Sequence, residues 1–180
     1  MASEAFGTGG MVMNRVVENS MIVFFILAIP VVIGGLFAGV NIWARLVGRI
    51  GMGLVMLLGG AAVNASFLAS GADYATFAND AKFAWVTHTW RDVVPAKPLL
   101  WIGLLVVFQA LIGIMVLSGG WPTRIGLIGA ILFHVALGVF FSWFLTAYAA
   151  VVLVAIVPLL RAEWRAEGHA AHPPISHRPA

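Results

Sequence analysis

The sequence predicts an all-α membrane protein of five transmembrane helices, with a short interfacial helix in the loop 71–98, and three observations carry that prediction. Hydrophobic residues make up 62% of the 180-residue chain and charged residues 9%, against about 45–50% and about 25% in soluble domains. Three apolar blocks, Met21 to Val40, Gly48 to Ser70 and Leu99 to Gly119, each reach about the 20 residues that cross a bilayer. A fourth apolar run, residues 123 to 160, holds one full charge, Arg124, and one histidine, His134, in 38 positions. As one helix it would be about 57 Å long, nearly twice a hydrocarbon core of roughly 30 Å. The run must therefore fold back as a hairpin of two spans.

In chain order, a leader of residues 1–20 carries Glu4, Arg15 and Glu18, and the first span covers 21–40. Its apolar stretch exceeds the about 7–15 residues of a signal-peptide core and leads into Arg45 and Arg49, so it reads as a retained span. Pro30 within it frees a carbonyl that a neighbouring group must satisfy. Gly35 and Gly39 form a GxxxG spacing, and Ala61/Ala65 and Gly126/Ala130 repeat the small-xxx-small pattern that lets helices approach closely in lipid. Internal packing is the plain use of such pairs, and a dimer seam the sharper one. The second and third spans follow at 48–70 and 99–119, and the hairpin arms at 124–141 and 143–160. Its turn falls between Gly138 and Thr146, where Phe140, Phe141, Ser142, Trp143 and Phe144 suit a membrane interface. Residues 161–180, rich in Pro and Ala, read as a disordered tail with His169, His172 and His177 in water.

Five spans place Arg45, Arg49, Arg124, Arg161, Arg165 and Arg178 on one side and Arg15, Lys82, Arg91 and Lys97 on the other. The positive-inside rule then puts the amino terminus outside and the carboxyl terminus in the cytoplasm of a bacterial-type inner membrane. A four-span chain would divide the same residues seven to three, so it is the length of the fourth run that chooses five. The lack of cysteine excludes disulfides, thiolate metal sites and cysteine nucleophiles. Ten basic residues against seven acidic ones, spread over helix ends, exclude a clustered nucleic-acid face. The partners expected are the lipid bilayer and other membrane subunits.

The 71–98 segment is the longest polar stretch between spans, a length at which loops are often functional. Tyr74, Phe77, Ala81 and Trp85 recur at helical spacing, which predicts a short surface helix that Pro95 and Pro98 end. It serves either as a lid over helix ends or as a substrate gate. His88 and Asp92 stand four apart, too few ligands for a metal site.

Inside the spans, Asn64, Gln109 and His134 are the polar groups costly to leave unpaired, while all acidic residues are expected outside the spans. If the fourth span begins near Ile125, Gln109 and His134 both lie near the midplane, where an amide-to-imidazole hydrogen bond could join them, with Asn64 nearer the outer leaflet. Interhelical glue is the default role. A quinone head group, a proton path or a haem is the functional one, haem being weakest because His134 stands alone unless His88 dips inward.

The stretch Arg49-Ile-Gly-Met-Gly-Leu-Val-Met-Leu-Leu-Gly-Gly, an aromatic loop with Phe77, a span leading to Gly113, and the turn Gly119-Gly120-Trp121-Pro122-Thr123-Arg124 together resemble the DoxX/DoxD-like integral membrane family over residues 48–160. The resemblance implies a four-helix membrane bundle, here with an additional amino-terminal span, and a cytoplasmic start for the helix after Arg49. Some members of that family are subunits of thiosulfate:quinone oxidoreductase. Asn64 stands where many relatives place a lysine. Three functions follow: a subunit or assembly component of a larger redox-linked membrane complex, not catalytic alone; a quinone-reactive subunit using Gln109, His134 or Trp101 around a lipid-accessible cavity; and a small transporter. Broken helices in corresponding halves would mark the transporter, and Pro30 has no evident counterpart in later spans.

Overall fold

The computed structural model describes residues 24–171, with side chains to 166. The leader 1–20, residues 21–23 of the first expected span and the tail from 172 lie outside the described residues. Within them the chain forms helix α1 (Phe24–Phe37), the long α2 (Ile42–Ser70), a 3-10 turn (Tyr74–Ala78), α3 (Ala84–Val93), α4 (Pro98–Ser118), α5 (Gly120–Phe140) and α6 (Trp143–Ala171). Four of these, α2, α4, α5 and α6, are long and apolar enough to cross a membrane, which makes this a membrane protein. The described part of α1 is apolar but shorter than a span requires.

Local chemistry sets most helix boundaries. Asn41 caps α2, its Oδ1 accepting from Trp43 N at 2.8 Å and Ala44 N at 3.4 Å. Pro98 occupies the start of α4, where its missing N–H costs nothing. The α4–α5 turn rests on Gly119 and Gly120, with φ of 84° and 61°, which residues bearing a Cβ rarely adopt. The predicted hairpin break falls at Phe141 and Ser142, and Thr146 Oγ1 fastens it by donating to Gly138 O at 2.9 Å.

The helices close on a core that includes Met52, Met56, Val116, Leu127, Ile156 and Leu159, all fully buried. Leu99, Leu104, Leu132, Val151 and Val154 point outward, as lipid-facing residues do. α1 packs on α2 and α6 through glycine: an added Cβ on Gly34 would lie 2.2 Å from Gly48 N, and one on Gly35 2.3 Å from Ala155 O. Gly39, the other member of the expected GxxxG pair, has nothing within 4 Å of such a Cβ.

Four expectations need correcting. Tyr74, Phe77, Ala81 and Trp85 do not fall on one short helix: Asp73 caps the 3-10 turn, which ends at Ala78, and α3 begins only after Lys82 N has bonded to Phe140 O at the hairpin tip. α5 starts at Gly120, five residues before Ile125, because the glycine turn reverses the chain at once. α6 continues past the expected end at 160 to Ala171, and Pro158, which the expected span 143–160 already contained, stands inside it as a helix proline in a later span that the reading of Pro30 overlooked. Glu163 thereby falls within α6 and is 7% exposed, although acidic residues were expected outside the spans. Arg45 Nε and Arg49 Nε approach its Oε1 at 3.6 and 3.7 Å, and Arg49 Nη2 donates to Leu117 O at 3.3 Å.

The connectivity puts residues 96 and 118 at opposite ends of α4, a helix about 31 Å long. Since the chain has no cysteine, Ala96→Cys and Ser118→Cys are expected to react with an impermeant thiol reagent from opposite faces of sealed vesicles. Labelling of both from one face would remove α4 from the membrane.

Candidate functional site

In α2, residues Val55–Ala62 are wound as a π-helix, a form that recurs at functional sites. Its glycines keep the inner wall low: a Cβ on Gly60 would sit 2.8 Å from Gln109 Cδ and Nε2, so the Gln109 amide occupies the place of the missing side chain. Asn64 Nδ2 donates both to Gly60 O, at 3.1 Å, and to Gln109 Oε1, at 3.0 Å. One amide thus satisfies the widened turn and anchors α4 to α2.

Beside this bridge lies a cavity of about 330 Å³, within the range of small-molecule sites. Its lining is largely aromatic and aliphatic, with four polar residues facing it, Asn64, Gln109, His134 and Tyr148. Gln109 is 2% exposed and His134 1% exposed. His134 Nδ1 lies 2.8 Å from Ala130 O. A carbonyl can only accept, so Nδ1 carries a proton and, in the neutral ring, Nε2 is left as an acceptor. Tyr148 stacks obliquely on His134, ring centroids 5.9 Å apart, and its buried Oη has no hydrogen-bond partner among the described residues.

The 71–97 segment supplies the cavity's end wall through Phe77 and Trp90. Trp90 Nε1 donates to Tyr74 O at 2.7 Å, and Thr87 Oγ1 to Ala78 O at 2.9 Å, which ties the 3-10 turn to α3. Lys82 Nζ donates to Gly138 O and lies 4.5 Å from the Trp143 ring centre, fastening the segment to the hairpin. Burial raises the Tyr74 hydroxyl above its ordinary pKa, which keeps it a neutral phenol. On the flank, Phe25 and Phe144 line the cavity while also being 50% and 43% exposed, and their rings meet edge to face at 5.7 Å.

Of the residues singled out in the sequence, Gln109 and His134 share this cavity, but Gln109 bonds to Asn64 and not to His134. The early start of α5 is the reason. It sets His134 about 21 Å from the glycine-turn end, whereas Gln109 is about 13 Å from it. Trp101, 43% exposed, does not line the cavity. His88 and Asp92 are exposed on α3, and His88 does not line the cavity that His134 lines. Sequence reasoning missed Tyr148, one of two tyrosines in the chain and the one placed in an apolar run, which was its visible signal.

The amide bridge makes an energetic prediction. Asn64→Ala and Gln109→Ala are expected to be non-additive by about 0.6 kcal/mol in an unfolding cycle, while Gln109→Ala and His134→Ala add. Coupling of the second pair and not the first would reverse the assignment.

No family model matches the chain, and comparison with curated proteins and with solved structures likewise finds no match.

Proposed function

We propose that the cavity binds the head group of a lipid-soluble quinone, and that the chain serves as a quinone-associated membrane subunit of a larger redox-linked complex. The observation that carries this reading is an apolar cavity of about 330 Å³ whose buried polar groups include both donors and an acceptor. Gln109 Nε2 and Tyr148 Oη can donate to a ring oxygen, and His134 Nε2 can accept from a ring hydroxyl. A quinone, when bound, supplies two-electron, two-proton redox chemistry. The chain's own residues orient the ring oxygens, exclude water with Phe67, Phe133 and Trp90, and hold or release a proton at His134 Nε2. The Phe25–Phe144 flank offers an entrance from lipid. With no nucleophile and base placed together among the described residues, the chain is not catalytic alone in this reading and needs partner subunits.

The DoxX/DoxD-like resemblance and the four-helix set α2, α4, α5 and α6 point the same way. In this topology α1 is a fifth span, α3 lies at the outer interface, and the Arg45 end faces the cytoplasm of a bacterial-type inner membrane. Arg45, Arg49, Arg124, Arg161 and Arg165 at that end against Lys82, Arg91 and Lys97 at the other support the orientation.

The test is titration of the purified full chain with a short-tailed benzoquinone and with an alkylbenzene of the same tail, following thermal stability. The quinone is expected to bind more tightly, and Gln109→Leu and Tyr148→Phe each to weaken it about tenfold. Equal binding of the two compounds would leave only a greasy cavity and end the proposal.

A further inference from the structure

At the opposite end of the bundle, Ile42, Trp43, Arg45, Leu46 and Arg49 enclose a recess of about 300 Å³. It is separate from the quinone cavity, since Arg49 and Asn64 are about 22 Å apart along α2. The recess is open on a lipid-facing side, where Ile42 and Trp43 are 67% and 69% exposed. Among the described residues, its floor sets two arginines against one carboxylate. Arg45 and Arg49 share one carboxylate oxygen of Glu163, and both approach it through Nε. Arg49 spends Nη2 on Leu117 O, whereas the two Nη groups of Arg45 make no hydrogen bond among the described residues. A planar guanidinium with both Nη groups free is the geometry that takes an oxyanion in bidentate fashion.

From this placement we infer that the recess is a binding site for a phosphate-bearing anion, and specifically for the phosphate of an anionic phospholipid. The two arginines bring two positive charges to one negative, so a phosphodiester neutralises the remainder. Indole and aliphatic side chains alongside the guanidinium suit the glycerol backbone and upper acyl chain, which inorganic phosphate lacks. Basic pockets against transmembrane helices are general sites for such head groups.

The test uses the purified full chain in mild detergent, supplemented with phosphatidylglycerol, phosphatidylcholine or inorganic phosphate, with thermal midpoint and retained lipid measured. Phosphatidylglycerol is expected to stabilise and to be retained in preference to phosphatidylcholine, and Arg45→Gln to cut that preference about fivefold. Glu163→Gln, which removes the competing carboxylate, is expected to lose stability in phosphatidylcholine and to gain more from phosphatidylglycerol than the parent does. If Arg45→Gln does not fold, Glu163→Gln decides alone: a preference no larger than the parent's overturns the site. Equal retention of the two lipids, or an undiminished preference in Arg45→Gln, overturns it as well. Full stabilisation by millimolar inorganic phosphate would overturn the phospholipid as the ligand.

Discussion

Gly34→Ala is expected to destabilise the protein by about 3 kcal/mol or more, and Gly39→Ala, five residues away, to leave stability unchanged within about 0.5 kcal/mol. A Cβ at position 34 would lie 2.2 Å from Gly48 N, 2.5 Å from Gly48 Cα and 2.6 Å from Ala44 O. All three are backbone atoms of α2, so no side chain can turn aside and the two helices must separate. Separation also lifts α1 from α6, where Gly35 leaves equally little room against Ala155. In lipid no hydrophobic gain favours re-packing, because the tails are as apolar as the helix surfaces. Thermal unfolding in detergent measures the difference. Similar melting of the two variants would place α1 outside the packed bundle.

The same glycines show how far the sequence could be read. Small-residue spacing correctly pointed to close helix approach, but it named Gly35 and Gly39, whereas the contacts run through Gly34, Gly35, Gly48 and Gly51. Spacing reports that a glycine is present on a face. Which face meets a neighbour depends on the crossing of α1 with α2, and that is a tertiary property. The hairpin in the 123–160 run was legible for a stronger reason, since no bilayer accommodates its length as one helix. Its lower boundary was not, because positive φ at Gly119 and Gly120 is a conformation and not a composition signal.

That boundary decided the site. Gln109 and His134 were recognisable as buried polar residues costly in hydrocarbon, and both do line the cavity. Their expected bond assumed a start at Ile125, and five residues of extra helix moved His134 about 7 Å along its axis. Asn64 took its place because the π-wound Val55–Ala62 segment turns Gly60 O and the Asn64 side chain toward Gln109. Hydrophobic periodicity carries no mark of an inserted π turn, so neither Gly60 nor the bridge could be read in advance. Tyr148 was passed over because its ring reads as one more apolar side chain, although its hydroxyl is what makes the wall beside His134 polar.

Glu163→Ala is expected to be the most damaging single change of charge, at about 2–3 kcal/mol. Removal of the carboxylate leaves Arg45 and Arg49 facing each other with side chains only 23% and 19% exposed. Complete burial would put the loss at about 3–5 kcal/mol, and the partial contact of both guanidinium groups with solvent lowers it. Arg45→Ala should cost less, because Arg49 still pairs with Glu163 and keeps its bond to Leu117 O. The order of the two variants therefore separates a carboxylate shared by two cations from a simple pair, in which either truncation would strand one charge and cost about the same. Thermal denaturation of both variants in uncharged detergent gives that order directly, and equal losses would show that Arg45 and Arg49 do not share Glu163. The carboxylate also joins α6 to α2 across the bundle end, so its loss should loosen the packing of Leu159 against Gly48. Faster protease cleavage between residues 37 and 42 is the expected sign of that loosening.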